Sequence, residues 1–262
     1  MIINRVIGVC FSPTGGTKKY VAAIAQRLGA AYQLIDLTPP HNRGKEYAFT
    51  ETDLVIFGAP VYYGRLPQVE GGIFTGLQGR NTPAVFNVTY GNGQYGDALL
   101  EEKELLEAQG FVGLAAGAWI APHSFSEKIA ANRPDNGDLE AIADFAKNLL
   151  ALLNGGLPRG SLDLPGNYPY KTYNALSFYP LGNDKCVDCR TCVKVCPTGA
   201  IADSDPTRTD SGKCILCLAC VKECPWEARE IADPAFADVC RQLESKLLVA
   251  PQKAATFFRG VK

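Results

Sequence analysis

The sequence predicts an α/β protein: a doubly wound, five-stranded parallel sheet followed by a smaller C-terminal α+β domain. Three observations predict it. Apolar runs alternate with amphipathic stretches through residues 1–154. Loops rich in glycine, hydroxyls or tyrosine follow the first, third and fourth of those runs. Eight of the ten cysteines fall into two equal runs further on.

Val6 to Phe11 is an apolar run of strand length, and Lys18 to Leu28 has helical spacing. Tyr32 to Leu37, Leu54 to Gly58, Ala84 to Val88 and Val112 to Ile120 read as four further strands. Gly96 to Gln109 and Leu139 to Leu153 are amphipathic helices. This alternation requires parallel pairing, because each crossover helix must lie on a face of the sheet. Ligands of such sheets sit beyond the carboxyl ends of the strands, where the unusual residues lie. Ser12-Pro13-Thr14-Gly15-Gly16-Thr17 leads from the first strand into a helix, offering hydroxyls and free amides to an anion. The Gly-Lys-Ser/Thr ending of a Walker loop and the G-x-G-x-x-G dinucleotide fingerprint are both missing there, so a single terminal phosphate is expected. Pro60, Val61, Tyr62, Tyr63 and Gly64 follow the third strand; Thr89, Tyr90, Gly91, Asn92 and Tyr95 follow the fourth. Tyrosines and glycine amides in two such loops suit the clamping of a flat ring. Each loop alone is as readily a capped turn; three at strand ends favour a ligand.

The cysteine runs are Cys186-x-x-Cys189-x-x-Cys192-x-x-x-Cys196-Pro197 and, 28 residues on, Cys214-x-x-Cys217-x-x-Cys220-x-x-x-Cys224-Pro225. This is the spacing of a two-cluster bacterial ferredoxin, in which the fourth thiolate of each run serves the other cluster. One [4Fe-4S] cluster is therefore expected on Cys186, Cys189, Cys192 and Cys224, the second on Cys214, Cys217, Cys220 and Cys196. Zinc knuckles have no use for the third cysteine of each run, and a chain of this length does not need a disulfide framework. The duplication supports a pseudo-twofold module. Asp188, Arg190 and Thr191 become Leu216, Leu218 and Ala219 in the second run, so that cluster is expected to be drier and harder to reduce.

With 262 residues, 47% hydrophobic and 20% charged, the chain has material for one large domain or two ordinary ones. A net charge of −1 favours neither nucleic acid nor a membrane surface. The N-terminus lacks the features of a signal peptide and no apolar stretch has the length of a membrane span, so cytoplasmic residence is expected. Oxygen-labile clusters suit an anaerobe. Residues 154–184 carry many tyrosines with little periodicity and read as a packed strap. Pro234 to Leu248 reads as a C-terminal helix. His41, His123, Cys10, Cys240 and Trp119 read as structural, and Trp226 as shielding a cluster.

Residues 1–154 resemble a flavodoxin, and the chain as a whole resembles the flavodoxin-ferredoxin fusion family of anaerobic bacteria and archaea. The S-P-T-G-G-T loop matches the flavodoxin phosphate loop. TYGNGQYGDALLE resembles the second flavin loop, with Gly93 where related fusions often carry Arg. The resemblance implies FMN, strand order 2-1-3-4-5 and one- or two-electron flavin chemistry. The expected division is a flavodoxin-like FMN domain (1–154), a linker strap (155–184), a ferredoxin-like domain with two [4Fe-4S] clusters (185–232) and a C-terminal helix and tail (233–262). The expected function is electron transfer between FMN and the clusters, adapting one- to two-electron partner proteins such as ferredoxin-type donors or acceptors. A flavin-dependent reductase of a small organic substrate or quinone is the alternative, a redox-sensing module a third reading, and a homodimer is open.

Overall fold

The structure, a computed structural model, describes residues 2–28, 31–156, 160–249 and 253–260. Strands β1 (Arg5–Cys10), β2 (Tyr32–Asp36), β3 (Asp53–Pro60), β4 (Thr82–Tyr90) and β5 (Phe111–Ile120) alternate with helices α1 (Gly16–Arg27), α2 (Ala98–Glu107) and α3 (Asn136–Gly155). The five strands pair in parallel in the order 2-1-3-4-5. α1 and α3 cover one face through Tyr20, Ile24, Phe145 and Leu149. α2 covers the other, where Leu99 and Leu106 join Phe57, Phe74, Phe86 and Phe111. Trp119 is fully buried, its indole donating to Asn87 Oδ1 at 2.9 Å.

The sheet has a sixth strand that corrects the five-stranded expectation. β6 (Ala255–Phe258) pairs antiparallel with β5, placing Phe258 opposite Ala115. The residues read as a tail thus return to the N-terminal sheet. Phe257 packs into one core and Phe258 into the other, as alternation along a strand requires. Residues 250–252, 261 and 262 of that tail lie outside the described residues.

The strap crosses the surface with little regular structure and is mostly exposed, held down at a few points; residues 157–159 lie outside the described residues. Leu162 is buried in the core. Asp97 accepts from the Asn167 and Lys171 amides at 2.9 and 2.6 Å. Burial works against that carboxylate, but these donors outweigh it and hold its pKa below the usual range. Arg65 forms a bidentate pair with Glu101, donates to the Lys171 carbonyl and lies over the Tyr170 ring at 4.7 Å. Tyr168, by contrast, is 82% exposed.

In the C-terminal module the short helices α4 (Thr191–Val195) and α5 (Ala219–Lys222) each start from a left-handed residue, Arg190 and Leu218. Leu181–Gly182 pairs antiparallel with Arg229–Glu230 to close the module. α6 (Pro234–Leu247) follows, capped by the Asp233 side chain. Its Phe236 packs edge-on against Phe125 and Phe178. Among the described residues no helix is long and apolar enough to cross a membrane.

Candidate functional site

The loop between β1 and α1 is held open as a cradle. Gly15 sits at the helix N-cap with φ 79° and has no side chain to cap it, so the Gly16 and Thr17 amides of the first turn are left to another acceptor. Ser12 shapes the turn: its amide donates to Thr38 Oγ1 at 2.8 Å, and its hydroxyl accepts from the Lys18 amide at 3.0 Å. Buried Thr17 shares a 2.7 Å hydrogen bond with Thr89 Oγ1, tying this loop to the end of β4. A polar cavity here is lined by Ser12, Thr14, Gly16, Thr17, Pro60, Val61, Tyr62, Thr89, Tyr90 and Gly91, among others.

The structure brings those ten residues together, whereas Tyr63, Gly64, Asn92 and Tyr95 lie away from the cavity and Gly15 is its hinge. Tyr62 and Arg65 exchange backbone hydrogen bonds across a tight turn, with Tyr63 and Gly64 at φ 56° and 81°. Two left-handed residues in a row splay neighbouring side chains. Tyr62 faces the cavity, while Tyr63 stacks edge-on against Tyr173 of the strap at 5.2 Å. Gly64 packs on Gly96, where a Cβ on Gly96 would meet the Gly64 carbonyl at 2.5 Å. Asn92 turns to α6, donating to the Leu247 carbonyl at 2.7 Å, and Tyr95 buttresses Tyr90 edge-on at 5.6 Å.

A fourth loop completes the rim and was missed: Ala121, Pro122, His123 and Ser124, directly after β5. The signal was available, since this loop also leaves the carboxyl end of a parallel strand. Gly91 has no room for a Cβ because the His123 ring lies against it, 2.3 Å from where that atom would be. Burial, then the charge of Lys222, pushes the His123 pKa down to about 4. Its Nδ1 accepts from the Phe125 amide at 3.0 Å.

The eight cysteines of the two runs stand round two cavities, and all are free thiols. One cavity is lined by Cys186, Cys189, Cys192 and Cys224, the other by Cys196, Cys214, Cys217 and Cys220. Among the described residues no group of three or more His, Cys, Asp or Glu is gathered closely enough to hold a single metal ion. The fourth cysteine of each run is fixed identically, with Cys196 Sγ accepting from the Ala200 amide at 3.2 Å and Cys224 Sγ from the Ala228 amide at 3.3 Å. The surroundings differ. Cys189 is exposed, and a hydrogen bond from Thr191 lowers its pKa. Its counterpart Cys217 is buried, and burial drives its thiol well up. Burial also raises Cys220 to about 11, with Arg229 pulling the other way. Cys10 is fully buried and pushed up to about 12 by that burial, and Cys240 donates to the Phe125 carbonyl at 3.5 Å. Neither lines a cavity described above. Trp226 stands half-exposed beside the first cavity.

The second cysteine run adjoins the rim of the polar cavity. Burial drives the Tyr62 hydroxyl far above the usual phenol range, and Cys217 is the largest of the charges that add to it, with Cys214 also contributing. Lys222, two residues after Cys220, donates to the His123 carbonyl at 3.3 Å. Buried Arg43 donates to the Leu37 and Thr38 carbonyls at 2.9 and 2.8 Å and to the carbonyl of Pro197, beside Cys196. Between the sheet domain, the strap and this run lies a cleft of about 840 Å³, whose walls include Tyr63, Tyr173, Phe178, Lys213 and Cys214.

Family models match two parts of the chain: a flavodoxin domain at residues 9–70 and a 4Fe-4S dicluster domain at residues 176–232. Similar solved structures include a flavodoxin from the domain Archaea, 15% identical, which covers 56% of this chain and 99% of its own with a TM-score of 0.38. Another is a flavodoxin from Streptococcus pneumonia TIGR4, 16% identical, covering 56% and 99%, with a TM-score of 0.39. No curated protein matches the sequence.

Proposed function

For a chain that joins a flavodoxin domain to a 4Fe-4S dicluster domain, we propose that electrons pass between FMN and an outer cluster by way of an inner one. The two domains make it an electron-transfer flavo-iron-sulfur protein, the first implying FMN and the second [4Fe-4S] clusters. The observation that carries the proposed order is the tie between the polar cavity and the second run: Lys222, two residues after Cys220, donates to the carbonyl of His123 on the cavity rim.

The residues fit both groups. The uncapped N-terminus of α1 and the Thr14 and Thr17 hydroxyls would hold a terminal phosphate, and Tyr62, Tyr90 and His123 on the rim would border the ring. Cys196, Cys214, Cys217 and Cys220 would hold the inner cluster and Cys186, Cys189, Cys192 and Cys224 the outer. When bound, FMN exchanges one or two electrons and each cluster one, which suits an adapter between one- and two-electron partners. Leu216, Leu218, Phe125 and Phe178 keep water from the inner thiols, and the exposed face with Cys189 and Val187 is where a partner protein would approach. We assign residues 1–154 and 253–260 to the flavin domain, 155–184 to the strap and 185–232 to the cluster domain.

Anaerobic purification with flavin and iron assays tests the cofactors, and stopped-flow mixing with a one-electron donor tests the route. Flavin reduction should depend on the inner cluster. Bound FAD, protein without iron, or undiminished flavin reduction after loss of the inner cluster would contradict the reading. The reductase reading has one observation in its favour, the cleft of about 840 Å³, which falls in the size range of small-molecule sites. Steady turnover of a soluble quinone, abolished by bulky replacement of Phe178 or Tyr173 partners in the cleft wall, would favour it.

A further inference from the structure

The internal repeat is broken most sharply at Arg229. Ile201 and Arg229 occupy equivalent positions, 28 residues apart and each five residues after the last cysteine of its run. Both are buried, 3% and 4% exposed. Where the first run places an apolar side chain, the second places a guanidinium. Its Nη2 donates to the Pro180 carbonyl at 2.7 Å and to Thr209 Oγ1, and its Nη1 to the Pro206 carbonyl. Nε is buried with no hydrogen-bond partner. Among the described residues no carboxylate forms an ion pair with it.

Burying a cation without an anion is costly, and three neutral oxygens fix its position without neutralising it. The side chain lines the cavity of Cys186, Cys189, Cys192 and Cys224. It also reaches the other cavity: Pro180 and Thr209, the two acceptors of its Nη2, line the cavity of Cys196, Cys214, Cys217 and Cys220. A guanidinium that lines one cavity and donates to two wall residues of the other stands between them. A four-thiolate [4Fe-4S] cluster is anionic and gains one further negative charge on reduction.

We infer that Arg229 is a shared counter-charge for the two clusters, a positioning residue whose fixed guanidinium makes both easier to reduce. The inference rests on the cluster reading above. Pro180, Pro206 and Thr209 hold the charge in place, so it needs no rearrangement when either cluster changes state. The residue copied from the first run, Ile201, supplies the natural comparison.

The test is an EPR-monitored redox titration of the anaerobic holoprotein, with iron content measured on each sample. Arg229→Ile should keep its iron while both midpoints move negative, each by at least a tenfold change in the reduction equilibrium, about 59 mV for one electron. Arg229→Lys should keep both midpoints near wild type. Arg229→Gln, which retains donors for the carbonyls but not the charge, should repeat the negative shift and covers the case in which the isoleucine variant loses iron. Midpoints unmoved in Arg229→Gln, or a shift confined to one cluster, would overturn the inference. So would Arg229→Lys shifting as far as Arg229→Ile. Wild-type protein without iron would instead sink the cluster reading itself.

Discussion

The two cysteine runs share a backbone and differ in what they face. Asp188 and Leu216 have φ of 57° and 54°, Arg190 and Leu218 62° and 59°, so each loop wraps its thiols through the same left-handed turns. The side chains at those turns decide the rest. Asp188 and Arg190 pair with each other at 2.7 Å in a partly exposed setting, leaving Cys189 and Val187 open to water. Leu216 and Leu218 pack with Phe236 under Phe125, Leu176 and Phe178, pressing the second run onto the flavin domain. Duplication supplies two equivalent cluster loops, and side chains on one surface make one inward and the other outward.

Removing one ligand breaks this comparison most severely. Cys196→Ala should cost the protein about half its iron, because Cys196 lies in the first run but lines the second cavity. EPR should then show the signal of the outer cluster alone, and retention of the inner signal with loss of the outer would contradict the crossed arrangement.

At the flavin end, Thr14→Ala combined with Thr17→Ala should weaken FMN binding on the order of a hundredfold, from two lost hydrogen bonds to a charged group. Fluorescence titration measures it, with iron content unchanged. Full flavin occupancy in the double variant at limiting flavin would remove the cradle from the account.

The smallest expected effect lies at the seam between flavin domain and inner run. His123 has a folded pKa of about 4 against 6.5 for the free group, so the unfolded chain binds the extra proton. The stability from a neutral, buried His123 is complete above about pH 6.5 and is lost as pH falls towards 4. Urea unfolding of wild type should show about 2 kcal/mol less stability at about pH 5 than at about pH 7 from this group, a difference that His123→Gln should remove. An equal pH dependence in the variant would show that the imidazole is not the group responsible.

The same structure shows why parts of the molecule were legible and others not. The five parallel strands each carry an apolar run with a loop whose residue types announce a turn, and the thiol spacing encodes ligand sharing locally. β6 is four residues, Ala-Thr-Phe-Phe, with too few alternations to register a period. Tyr62 and Tyr63 look interchangeable until a non-glycine left-handed turn sends them apart. Arg43 and Arg229 resemble surface cations in sequence, because their burial depends on carbonyls of Pro197, Pro180 and Pro206 brought from distant segments. The dryness expected around the second cluster is present in Leu216 and Leu218, both buried, and the wild-type midpoints of the same EPR titration test whether it makes that cluster the harder to reduce.

The most direct test of the central claim is an anaerobic crystal structure of the holoprotein with an anomalous difference map at the iron edge. The account predicts two iron sites, the one bound by Cys196, Cys214, Cys217 and Cys220 lying nearer the flavin ring, with Tyr62 between them. A map placing the cluster of Cys186, Cys189, Cys192 and Cys224 nearer the flavin would contradict it.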